Sequence, residues 1–307
     1  MLCFGGPYSN AQATAAVLAE AERRGIPSGR VICTGDVVAY GGEPADTVAL
    51  VRDAGVHVVM GNCEESLGQG AADCGCGFEA ASDCAQWSEA WYGFAAARLS
   101  GDALAWMRAL PRQLRFTLAG RRLAVIHGGD PDISQYVFAS TPWDEKERIL
   151  DRLAGTGPAD EIVDGPVDGP VDGVVDGSVD GVVDGVVDGV VAGHSGLPFT
   201  ELVGGRLWHN AGAVGMPAND GTPRTWFSIL LPEDLGITVT VHPFDYDHGA
   251  AARALDAAMP GLPYARTLAD GLWPNMAVLP GPERRLRGRP LAPGPVHWPG
   301  PTAAAAE

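Results

Sequence analysis

Four short apolar runs in this chain each break into a polar string. Val31–Cys33 leads into Thr34-Gly35-Asp36, and Val56–Met60 into Gly61-Asn62-Cys63-Glu64. Leu123–Ile126 leads into His127-Gly128-Gly129, and Val190–Ala192 into Gly193-His194-Ser195-Gly196. Short apolar runs bounded by glycine read as buried strands. In open α/β sheets, the residues at the carboxyl ends of such strands converge on one crevice. Asp36, Asn62, His127 and His194 would then form an oxygen-and-nitrogen donor set suited to a divalent or trivalent ion of Zn, Mn or Fe.

At these residues the chain resembles the calcineurin-like metallophosphoesterases, whose motifs run D-x-H, G-D, G-N-H-[DE], H-G and G-H-x-H. His209-Asn210-Ala211-Gly212-Ala213-Val214-Gly215-Met216-Pro217 is similar to the N-P-G-S-V-G-x-P stretch of that family. The resemblance covers roughly residues 1–245, with one insertion. It implies an α/β fold of the calcineurin-like kind, an αββα sandwich of two mixed β-sheets flanked by helices. It also implies a phosphoester-hydrolysing site with two metal ions about 3.5–4 Å apart.

The departures from the family pattern are as informative. Gly6 stands where the family has Asp, Tyr8 where it has His, and Gly196 where the last motif has its second His. By the resemblance, these three losses fall on the first ion and spare the second, whose ligands map to Asp36, Asn62, His127 and His194. Such sorting suggests a rebuilt site rather than a decayed one. Tyr8 has three readings: a phenol that binds a ferric ion, a hydrogen-bond donor to phosphate, or a ring filling the vacated volume.

Cys63 stands at the family's catalytic His, so Cys63 and Asn62 are the candidate catalytic residues of that string. A thiol works as its thiolate, with an unperturbed pKa of about 8.5. Cys74, Cys76 and Cys84 follow closely in a glycine-rich acidic stretch, where apolar burial explains cysteines poorly. With Cys63 they are candidates for an additional metal or redox site, although C-x10-C-x-C-x7-C matches no standard zinc or ferredoxin spacing. Cys3 and Cys33, inside apolar strands, read as small core residues. Tyr8, Asn10, His209 and Asn210 are the candidate substrate contacts.

The formal charge is -17, of which seven charges belong to seven copies of Val-Asp-Gly between Val163 and Gly189. The period of four lacks the paired glycines of calcium-binding arrays, so the repeat reads as an expanded, irregular surface loop. The acidic balance argues against a nucleic-acid partner. No apolar run approaches the ~20 residues of a membrane span. Without a charged n-region and apolar h-region at the start, a cytoplasmic location is expected, with thiols reduced and disulfides unexpected.

Asn10 reads as the cap of a helix over Ala11–Arg24, closed by Gly25 and Pro27. A second helix over Glu43–Ala54 precedes the strand Val56–Met60, giving a βαβαβ opening with parallel strands. Trp87, Trp91 and Phe94 recur at helical spacing, and a helix over Gly101–Leu110 follows. Gln113–Leu118 and Arg121–Ile126 form a hairpin about Ala119-Gly120. Thr225–Leu231 and Ile237–Val241 are late strands, and Asp245–Met259 a late helix. The expected domain is 1–278, with 279–307 a disordered Pro/Gly/Arg-rich tail.

The expected function is hydrolysis of a small phosphate ester at the Asp/Asn/His/His metal site, with the cysteines the candidate ligands of a second one. The alternative is a non-hydrolytic metal or redox sensor, or a phospho-ligand-binding protein, on the same fold.

Overall fold

A computed structural model describes residues 1–77, 82–155, 161–162 and 187–301. Most of the Val-Asp-Gly repeat lies outside these residues, and its reading as a loop with it. The last copy is described: Val187 is buried, and Asp188 accepts hydrogen bonds from the backbone and guanidinium of Arg122 before the strand that opens at Gly189.

The chain opens with β1 (Leu2–Phe4), α1 (Ala11–Arg23), β2 (Val31–Cys33), α2 (Pro44–Asp53) and β3 (His57–Val58). The helices α3 (Asn62–Gln69), α4 (Asp83–Ala96) and α5 (Gly101–Ala109) follow, then the hairpin β4 (Gln113–Leu118) and β5 (Arg121–Ile126). Next come α6 (Trp143–Gly155), β6 (Glu161–Ile162), β7 (Gly189–Ala192), β8 (Phe199–Val203) and β9 (Arg206–Asn210). The chain continues through β10 (Thr225–Glu233), β11 (Gly236–Phe244), α7 (His248–Ala258), α8 (Tyr264–Asp270), α9 (Gly281–Arg284) and β12 (Val296–Pro299).

The strands form two six-stranded mixed sheets, ordered β12-β11-β10-β1-β2-β3 and β6-β4-β5-β7-β9-β8. Alternation along each strand sorts its side chains to two faces. Cys3, Ile32, Leu123, Val125 and Val191 point into the layer between the sheets. Leu2, Phe4, Val31 and Cys33 point instead toward the helices outside the first sheet, while Ala124, Ile126, Val190 and Ala192 pack with α6 outside the second. This is the expected αββα sandwich. Strands β1, β2 and β3 run parallel, as do β5, β7 and β9, so their carboxyl ends meet at one rim.

The disordered-tail expectation is overturned for residues 279–301. β12 pairs antiparallel with β11, and Trp298 is wholly buried between the sheets. Arg121 donates to the Pro299 carbonyl, and Glu283 accepts from the Ser140 backbone and hydroxyl. The domain therefore extends past residue 278. A second difference is α3, which begins at Asn62 itself and places the Gly61-Asn62-Cys63-Glu64 string on a helix N-terminus.

Candidate metal centre

The loops after β2, β5 and β7 and the first turn of α3 bring together the four residues singled out in the sequence. His127 Nδ1 lies 2.6 Å from the Thr34 carbonyl, which can only accept, so that nitrogen carries a proton. Nε2 thus faces inward, 3.2 Å from Asp36 Oδ2, 3.1 Å from Asn62 Oδ1 and 3.0 Å from His194 Nδ1. Asn62 cannot present its nitrogen here, because Nδ2 donates to the Cys74 carbonyl at 2.8 Å. The candidate ligand atoms of Asp36, His127 and His194 lie within 4.8 Å of one another, and all three residues are buried.

Electrostatics make this arrangement costly without a shared positive charge. Burial opposes the imidazolium form of His127, but Asp36 and the Thr34 carbonyl outweigh it and its pKa is raised. Burial also opposes ionisation of Asp36, yet His127 holds its carboxyl below the usual range. His194, disfavoured as a cation by burial and by His127, is pushed down to about 3 and stays neutral. A carboxylate, an amide oxygen and two imidazole nitrogens converging in a buried space fit a bound cation.

The backbone is strained at the same place. Tyr8, Ser9, Asp36 and His194 all adopt positive φ, between 51° and 59°. Such conformations cost on the order of 1–3 kcal/mol each and cluster at functional sites. Glu64 holds the strained Asp36 turn: its buried carboxylate accepts from the backbone N–H groups of Asp36, Gly61 and Val38 at 2.7, 3.0 and 3.2 Å. Burial and the neighbouring Asp36 raise its pKa to about 7. Gly61 permits this approach, since a Cβ there would lie 2.4 Å from Asp36 Oδ1.

The structure gives the Tyr8 ring the volume-filling role. Its ring lies where a side chain at Gly6 would be, with a Cβ at Gly6 falling 2.4 Å from the ring, and its hydroxyl neighbours Gly196. Burial first, and then the neighbouring Asp36, raise its phenol well above the usual tyrosine value. The three substituted positions therefore pack against each other, and the ring fills the volume.

Other candidates are placed differently from expectation. Cys63 is buried and lines no part of the main cavity, and burial, with the neighbouring Asp36 and Glu64, raises its thiol well above the usual value. Cys74 and Cys76 are joined as a disulfide, against the expectation of reduced thiols. Cys76 and Cys84 line the cavity, but no group of three or more metal-ligating side chains among the described residues includes a cysteine. Asn10 caps α1 through Ala13 N and donates to the Gly215 carbonyl and Tyr246 Oη. His209 is buried against Thr200, and Asn210 ties the His194 turn by donating to Gly193 O and Ser195 Oγ. None of Asn10, His209 and Asn210 reaches the main cavity.

That cavity, about 810 Å³, opens above Asp36 and His194. Tyr8, Tyr40, Trp87, Tyr136, Tyr264 and Trp273 line it. Tyr136 lies over the His194 ring at a centroid distance of 4.2 Å. Sequence reasoning missed Glu64, Tyr136 and Trp273. Only Glu64 had a local signal, its position three residues after Gly61 at a helix start.

A two-sheet sandwich with a buried Asp/Asn/His/His cluster at its strand ends defines a metallophosphoesterase-type protein. The family model for the calcineurin-like phosphoesterase superfamily domain matches residues 9–231, and the chain belongs to that superfamily. An uncharacterized protein of Methanocaldococcus jannaschii is 42% identical over 55 residues, 18% of this chain and 22% of that protein. A metallophosphoesterase from Sphaerobacter thermophilus is similar in structure, with TM-score 0.57 and 21% identity over 88% of this chain and 98% of that one. A hypothetical protein from Pyrococcus horikoshii OT3 gives TM-score 0.66 and 13% identity with the same coverage. Among the described residues no helix is long and apolar enough to cross a membrane.

Proposed function

We propose that the chain is a metal-dependent phosphoesterase working with a single ion. The observation that carries this reading is the convergence of Asp36, Asn62, His127 and His194 on one buried point at the floor of the cavity. These four residues would hold the ion, with Zn, Mn or Fe the elements that suit the donor set. When bound, such an ion supplies Lewis-acid polarisation of a phosphoryl oxygen and makes water a better nucleophile.

The protein's own groups do the positioning. Thr34 fixes the His127 tautomer and the Cys74 carbonyl fixes the Asn62 amide, as outer partners do in metal sites. Tyr136 covers His194 and limits water on that side. Tyr8 remains a phenol and can donate a hydrogen bond to an ester oxygen.

Metal analysis of the purified chain, with hydrolysis of phenyl phosphate mono- and diesters, tests the reading. One ion per chain and turnover are expected, with His194→Ala losing the ion and more than about 100-fold in rate. A loaded chain that cleaves neither ester, with His194→Ala indistinguishable from it, would sink the enzyme reading and leave a phospho-ligand-binding protein.

A further inference from the structure

No Lys or Arg lines the described wall of the cavity, and the residues outside the description contain neither, so none of the chain's 21 basic residues is available from them either. The wall is aromatic: two indoles and four phenols surround a floor whose charged group is Asp36. The Trp273 indole N–H is already used, donating to the Pro217 carbonyl at 2.7 Å, which leaves the ring itself as the contact surface. Phosphate in such a cavity must be neutralised by the metal centre alone.

The charge balance then selects the ligand. Asn62 and neutral His127 and His194 contribute no charge, Asp36 contributes one negative charge, and the Glu64 carboxyl is buried against the Asp36 turn, so a divalent ion leaves at most one net positive charge. Tyr8 occupies the volume beside Gly6 and Gly196, and among the described residues Asp36, His127 and His194 form the one cluster of three or more metal-ligating side chains. A monoanionic phosphate matches this balance. A dianion would carry at least one uncompensated negative charge into an aromatic-walled space, which is costly.

Resting on the phosphoesterase reading above, we infer that the cavity binds a monoanionic phosphodiester bearing an aromatic ester group, in preference to a dianionic monoester. Ring stacking on Trp87 or Trp273 would add to the gain from buried area. Hydrolysis forms a P–O bond to a water oxygen and breaks one ester P–O bond. The departing alcohol or phenol keeps one water proton, and the other is released to solvent as the product monoester ionises to its dianion. That product is the poorer match for the site, which favours its release.

The test is calorimetric titration of the manganese-loaded full chain with two phosphonates, at a mildly alkaline pH where they differ in charge. Methyl phenylphosphonate is then a monoanion and phenylphosphonate a dianion; both C–P bonds resist hydrolysis, and phosphorus NMR of each cell after titration verifies that the methyl ester is intact. The monoanion is expected to bind at least about tenfold more tightly, the equivalent of about 1.4 kcal/mol. Trp87→Leu and Trp273→Leu should each weaken it severalfold with bound manganese unchanged, and dimethyl phosphate should bind more weakly than methyl phenylphosphonate. Equal or tighter binding of phenylphosphonate overturns the charge selection, and equal binding of dimethyl phosphate overturns the aromatic part. Binding of neither phosphonate to a chain holding one ion defeats the phosphoesterase reading itself, and this inference with it.

Discussion

Glu64 satisfies three backbone N–H groups with one carboxylate, and those groups belong to the turn that aims Asp36. Each buried donor left without a partner costs about 1–3 kcal/mol. Glu64→Ala should therefore destabilise the fold by at least about 3 kcal/mol in urea unfolding and weaken metal affinity. His209 contributes to acid behaviour. Burial depresses its pKa from 6.5 to about 4, so the folded state resists a proton that the unfolded state accepts. Its contribution is constant above 6.5, and stability is lost as pH falls from 6.5 toward about 4. The loss is on the order of 2–3 kcal/mol, and in His209→Gln that part of the slope in denaturation against pH should flatten. At this scale the sequence was legible where chemistry sits at a strand end: Asp36, Asn62, His127 and His194 are where their apolar runs and glycines put them. Cys63 misled because its neighbours suggest reactivity, whereas burial decides the pKa of a thiol.

Among the elements, those with strong periodicity or clear punctuation were readable to within a residue or two. The β4–β5 hairpin spans the expected residues because Ala119 and Gly120, both at positive φ, mark the turn. α1 begins after Asn10, whose side chain caps it. α3 was not visible because its residues are mostly polar and its buried face is set by contact with Asp36 and the Cys74 loop. β12 was hidden for another reason. A four-residue edge strand ending in Pro299 has no alternation to read, and only its pairing with β11 and the burial of Trp298 define it. Trp298→Ala should cost about 3–5 kcal/mol in chemical denaturation, as large-to-small changes in a packed core do. A chain stopped at residue 278 should be comparably destabilised. An unchanged midpoint in either variant would mean that the C-terminal segment contributes nothing to the fold.

For the whole molecule, the four candidate ligands come from both sheets: Asp36 and Asn62 from the carboxyl side of the first, His127 and His194 from that of the second. An ion held there joins the two halves of the sandwich, so its binding energy adds to the stability of the complete fold. With free metal at about 100 times its dissociation constant, linkage gives about 2.7 kcal/mol. Chelation should lower the melting temperature of the wild-type chain by several degrees and leave His127→Ala unmoved. Equal shifts in both would place the stabilising ion elsewhere. The overall architecture was readable from the order of its strand-end strings. The aromatic cavity was not, because Tyr136 and Trp273 come from loops with no pattern of their own and are gathered only by the tertiary fold.

The packing of Tyr8 against Gly6 and beside Gly196 also bears on the history of the protein. An aspartate at Gly6 alone would collide with the tyrosine ring, and a side chain at Gly196 would have to adopt a φ of 69° beside Trp273 and the tyrosine hydroxyl. Replacing Tyr8 alone by a smaller residue would leave a hole in the floor of the cavity. An Asp at Gly6 and a smaller residue at Tyr8 would therefore have to arrive together, so the packing works as a ratchet that single substitutions turn only with difficulty.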